Sequence, residues 1–129
     1  MNSSKNHFIK FKFPVILWAL FILALCSTPG NKIPHISWLE LLSFDKFVHA
    51  SVFFILNLLS IRATENNTTL QKIIISFLCI IYGGILEIFQ SFFFVQRSGD
   101  LLDFTANSIG VILAFFFFKK LKEKFTFFF

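Results

Sequence analysis

The sequence predicts an all-α polytopic membrane protein with four transmembrane helices, and three observations carry that prediction. Hydrophobic residues make up 56% of the 129 residues and charged residues only 15%, against about 45–50% and about 25% in ordinary globular chains. The apolar residues, 22 Phe among them, gather into four runs. Lysine and arginine lie mainly outside those runs. A chain of this length has no interior large enough to hide so much apolar surface from water, which excludes a soluble domain. The net charge of +5 would suggest nucleic acid in a soluble protein. Here the basic residues flank apolar runs and read as orientation signals, so no nucleic-acid partner is expected. No Pro/Gly/Ser-rich linker, repeat or charge block divides the chain, so residues 1–129 form one membrane domain.

The first span is Phe13 to Cys26, "FPVILWALFILALC". Its basic start, apolar stretch and following "LCSTPG" also fit a signal peptide, and "LALC" resembles a lipoprotein site. Leu25 is bulky where such a site wants a small residue, so the run is read as a retained helix. The second span is Phe47 to Ile61, the third Ile73 to Phe94 and the fourth Leu101 to Phe118. Some fall short of the roughly 20 residues of a perpendicular span, but flanking polar residues can add a turn and short helices thin the bilayer. Cys26 and Cys79 lie in or at the ends of these runs without C-x-x-C or His/Cys spacing, and read as buried thiols.

Between spans one and two, "NKIPHISWLELLSF" mixes apolar and polar residues as a short interfacial helix or a packed loop would. The sequons at Asn66 and Asn67 fall on the predicted cytoplasmic side and read as empty. The tail "KKLKEKFTFFF", basic and then aromatic, fits the cytoplasmic surface and anionic lipid.

Nine of the twelve basic residues fall on one side of this topology: Lys5, Lys10, Lys12, Arg62, Lys72, Lys119, Lys120, Lys122 and Lys124. The positive-inside rule then places both termini in the cytoplasm and the loops 27–46 and 95–100 outside.

This topology collects the polar residues at the outer ends of three helices. Asp45 and His49 are four apart near the start of span two, and Glu87 and Gln90 three apart near the end of span three. Arg97 is in the outer turn. Asp100, Asp103 and Asn107 form one stripe at the start of span four, continued by Gly110. Gly83 lies one turn below Glu87, so spans three and four each offer a small residue for close packing. A carboxylate at a helix centre costs about 2.5–3.5 kcal/mol on insertion scales, so such groups normally face the interior and mark a site. The plainer readings stand beside this one. Asp45, Asp100 and Asp103 sit where carboxylates cap helices or meet their dipoles. Lys46 and Arg97 can anchor at headgroups, and the remainder can be a hydrogen-bond network between helices.

At these residues the chain resembles the VanZ-like family, small bacterial membrane proteins named for a glycopeptide (teicoplanin) resistance protein. The resemblance runs through "DKFVH" (Asp45, Lys46, His49), "EIFQ" (Glu87, Gln90), "QRSGDLLD" (Arg97, Asp103) and "DFTANSIG" (Asp103, Asn107, Gly110), in order and spacing, from about Asp45 to Phe118. The family turn before Arg carries Pro-Gly where this chain has "FFFVQR", which puts the direction of Arg97 in doubt. The resemblance implies a multi-pass envelope protein associated with glycopeptide tolerance and supplies no settled biochemical activity.

The expected site is an outward-facing polar cavity built from Asp45, His49, Glu87, Gln90, Arg97, Asp103 and Asn107. In a binder, it would hold the polar head of a membrane lipid or a lipid-linked or cell-wall precursor, with Arg97 on phosphate and Asp or Asn on amide or sugar groups. In an outer-leaflet enzyme, His49 with Asp45 or Glu87 would move protons, and Asp, His and Glu are the side chains that would hold a divalent ion. No nucleophile motif, H-E-x-x-H or phosphate loop is present. No residue is assigned to a metal, no cofactor is expected, and oligomeric state is left open. A proton or ion path is the weakest alternative, because below Glu87 and Asn107 only Asn57, Tyr82, Ser76 and Cys79 offer polar steps.

Overall fold

A computed structural model describes residues 8–27, 44–64, 68–93 and 101–125. A π-helical stretch, Phe8–Lys12, leads into α1 (Phe13–Cys26), followed by α2 (Phe44–Arg62), α3 (Thr69–Phe93) and α4 (Leu101–Lys124). With the π-helical stretch counted into the first, all four are long and apolar enough to cross a membrane. The chain is an all-α polytopic membrane protein. The predicted interfacial segment, the two sequons, Asp100, Arg97 and the last Phe residues lie outside the described residues.

Three helices run past their predicted ends, because polar residues at a lipid boundary continue a helix whose backbone must stay hydrogen-bonded. α2 begins at Phe44 and takes in Asp45 and Lys46. α4 continues through "KKLKEK" to Lys124. α3 starts four residues early on a capping box: the Gln71 amide donates to Thr68 Oγ1 at 3.3 Å, and the Thr68 amide to Gln71 Oε1 at 3.2 Å. At the start of α1, Pro14 has no amide to donate, so the ladder breaks there and the π-helical stretch gives way to regular α-helix.

Burial sorts residues inside-out relative to a soluble bundle. The inner stripe of α3 is Ser76, Cys79, Gly83, Leu86, Glu87 and Gln90, at helical spacing, while Ile73, Ile74, Phe77, Leu78, Ile81 and Ile85 are exposed to the apolar surroundings. On α4 the small residues Ala106, Gly110 and Ala114 recur every fourth position and are buried, which lets another backbone come close. That backbone belongs to α2: the α2–α4 contact is the most extensive in the molecule. The Gly83 surface on α3 is filled instead by the Phe53 ring, 3.1 Å from where a Cβ would sit, with Asn107 Cβ also in reach.

α1 is peripheral, with only Ile22 and Cys26 buried. Polar side chains hold it: Trp18 Nε1 donates to the Val52 carbonyl at 2.9 Å, Tyr82 Oη to Ala19 O at 2.7 Å, and Gln90 Nε2 to Cys26 O at 3.2 Å. The bundle therefore has two chemically distinct ends. Cys26, Asp45, Gln90 and Asp103 mark one; Lys12, Arg62, Lys72 and Lys120 mark the other.

Candidate functional site

The site is built where the first turns of α2 and α4 meet the last turns of α3. Asp45 and Asp103 are the acidic residues of those two first turns, where the helix dipoles favour negative charge. The dipole reading therefore holds for both, but neither side chain stops there. Lys46 Nζ bonds Asp103 Oδ1 across the two helices and Asp45 Oδ2 at 3.3 Å. One turn deeper, His49 Nδ1 lies 3.1 Å from Asn107 Oδ1, and Asn107 Nδ2 donates to Glu87 Oε1 at 3.4 Å. Side chains from α2, α3 and α4 thus meet at one end of the bundle.

Burial deepens along it. The Asp45 side chain is 62% exposed, those of Asp103 and His49 are 15% and 13% exposed, and Glu87 and Asn107 are buried. The Glu87 carboxylate fixes the Asn107 amide, because only the NH₂ end can donate to it. The Asn107 oxygen then faces His49, where it can accept from a protonated Nδ1. His49 Nε2 is left facing Asp45 Oδ1 and Asp103 Oδ2, each at 3.8 Å, beyond hydrogen-bond length.

Two predicted members stand apart. Gln90 is buried but spends its amide on α1, tying α3 to that helix. Arg97 falls outside the described residues. Lys46, weighed from sequence as a headgroup anchor, instead bonds across from α2 to Asp103 on α4. The apolar clefts between α1, α2 and α3 (about 240 Å³) and between α3 and α4 (about 380 Å³) include no member of the cluster in their linings.

A second polar centre lies in the other half of the bundle. Fully buried Asn57 donates to Ser76 Oγ at 3.0 Å and to the Val111 carbonyl at 2.9 Å. Ser76 Oγ lies 3.3 Å from Asn57 Oδ1. It joins α2, α3 and α4 and satisfies its own groups, which is the behaviour of a structural lock. Its sequence signal is an Asn inside an apolar run.

No family model, curated protein or solved structure matches the chain. The functional reading therefore rests on the residues themselves.

Proposed function

We propose that this chain is a VanZ-like integral protein of the bacterial cytoplasmic membrane, with both termini in the cytoplasm, whose polar cluster faces outward and binds the polar group of a lipid or cell-wall-related molecule. The observation that carries this reading is the gradient in the cluster: an exposed Asp45 at the rim, half-buried Asp103 and His49 behind it, and a buried Asn107–Glu87 pair at the base. A lock such as Asn57–Ser76 has no such opening. The resemblance through "DKFVH", "EIFQ" and "DFTANSIG" supports the family, and the distribution of Lys and Arg supports the orientation. The link to glycopeptide (teicoplanin) tolerance rests on the resemblance alone.

The charge of the described groups narrows the ligand chemistry. Asp45 and Asp103 set two carboxylates against the single ammonium of Lys46, so this part of the site favours donors: amine, amide or hydroxyl groups. The test is thermal unfolding of detergent-purified protein in EDTA, with and without lipid-linked cell-wall precursors and aminated phospholipids. A ligand should raise the wild-type midpoint, and a folded Asp103→Asn variant should lose that response. If no such ligand moves the wild type, the reading fails.

A further inference from the structure

The two carboxylates of the cluster are each divided between two tasks. Asp45 Oδ2 and Asp103 Oδ1 face Lys46 Nζ, while Asp45 Oδ1 and Asp103 Oδ2 face His49 Nε2. His49 is likewise divided: Nδ1 faces Asn107, and Nε2 faces the two carboxylates. Three electron-pair donors thus converge from two helices, with ligand atoms of Asp45, His49 and Asp103 all within 4.8 Å of one another. Lys46 Nζ supplies one positive charge to these carboxylates, and the oxygens turned away from it are the ones that face His49 Nε2. The 3.8 Å spacings between them are longer than hydrogen bonds.

We propose that Asp45, His49 and Asp103 form a binding site for a first-row divalent transition ion such as Zn²⁺ or Mn²⁺. Zinc bonds to imidazole nitrogen and carboxylate oxygen are about 2.0–2.2 Å long, so two ligand atoms of a tetrahedral ion stand about 3.4 Å apart. Both 3.8 Å spans are a little longer than that, a difference that side-chain rotation closes without moving a helix, most readily at the exposed Asp45. One imidazole and two carboxylates suit zinc or manganese better than calcium or magnesium, which take oxygen ligands throughout.

The surrounding groups do what outer partners of metal ligands do. Asn107, held in turn by Glu87, fixes the ring and its tautomer, and Lys46 orients both carboxylates. Three protein ligands leave coordination positions open toward the rim, where a ligand's oxygen or nitrogen would complete the shell. No motif announces such a site in the sequence, because the ligands come from the first turns of two helices distant in the chain.

This inference rests on the cluster being a site, and the two are tested apart, since the ligand measurement above is made in EDTA. Chelator-stripped full-length protein in detergent would be titrated with Zn²⁺ and with Mn²⁺. Bound ion would be counted after desalting, and Mn²⁺ followed by its electron spin resonance. One ion per chain is expected. His49→Gln and Asp103→Asn should each abolish retention while keeping the wild-type unfolding midpoint of the stripped protein within a few degrees. Asn107→Ser should weaken affinity about 10- to 100-fold. Absence of retained ion in the wild type overturns the proposal, and so does retention unchanged in both ligand variants. A precursor-induced stabilisation in EDTA alongside no retained ion would sink the metal site and leave the binding site standing.

Discussion

Gly110 packs on the backbone of Ala50: a Cβ added at Gly110 would lie 2.8 Å from the Ala50 carbonyl carbon and 3.0 Å from its Cα. The obstacle is main chain, fixed in a helix, and cannot rotate away. This approach brings α2 and α4 close enough for His49, next to Ala50, to reach Asn107, one turn from Gly110. Gly110→Ala should therefore destabilise by about 1–3 kcal/mol through overpacking. Gly84→Ala should cost less, because the nearest group is the edge of the Phe104 ring at 3.3 Å, which can turn. Thermal unfolding of both variants in one detergent checks the order, and equal losses would count against the close approach.

The Asn57 lock should be worth more than either of its bonds. Hydrogen bonds between membrane helices average about 0.6 kcal/mol and reach about 1.7 kcal/mol. Ser76→Ala removes one partner of Asn57, whereas Asn57→Ala strands Ser76 and withdraws a donor from Val111 O. The second should lower the unfolding free energy more. A double-mutant cycle should return a coupling near 0.6 kcal/mol; strictly additive losses would mean that the two side chains do not interact.

α1 should be the first helix to detach. Tyr82→Phe keeps its ring and Trp18→Phe an aromatic one, smaller than indole, and each removes a hydrogen bond between α1 and its neighbours, at about 0.5–1.5 kcal/mol. Amide exchange should then quicken in α1, with α4 unchanged. Uniform acceleration across all four helices would show that α1 is an integral part of one cooperative unit.

Cys26 and Cys79 are buried thiols, so the folded chain should resist a membrane-impermeant maleimide until denatured. That low background permits a test of orientation. A cysteine replacing exposed Phe44 should label from outside intact cells, and one replacing Lys124 only after the membrane is permeabilised. The reverse pattern would invert the proposed topology.

The four helices were legible because lipid demands long apolar runs, and Lys and Arg mark where those runs end. Their polar extensions were not: Thr68 and Gln71 cap α3 by a local motif, but nothing apolar points to it. In the site, Asp45, His49, Glu87, Asp103 and Asn107 were legible from helical spacing and the cost of burying charge. Lys46 was not, because a lysine beside a span is usually an anchor. Gln90 misleads by position: it shares the face of Glu87 within one turn, yet sits where α1 passes and donates to Cys26 O. The pairing of α4 with α2 through Gly110 was hidden too, since a glycine records that something comes close without saying what.

Asn57 also constrains how the protein is made. Of the four spans, α2 is the least hydrophobic, and it leaves the ribosome before Ser76 and Val111, the two groups that accept its Asn57 amide, have been synthesised. At that moment the amide has no native acceptor, and water or the insertion machinery must supply one. The handover ends only when the last helix enters the bilayer. A chain stopped short of α4 would therefore expose an unmet polar group in α2, the kind of defect by which membrane quality control distinguishes an unfinished protein from a finished one.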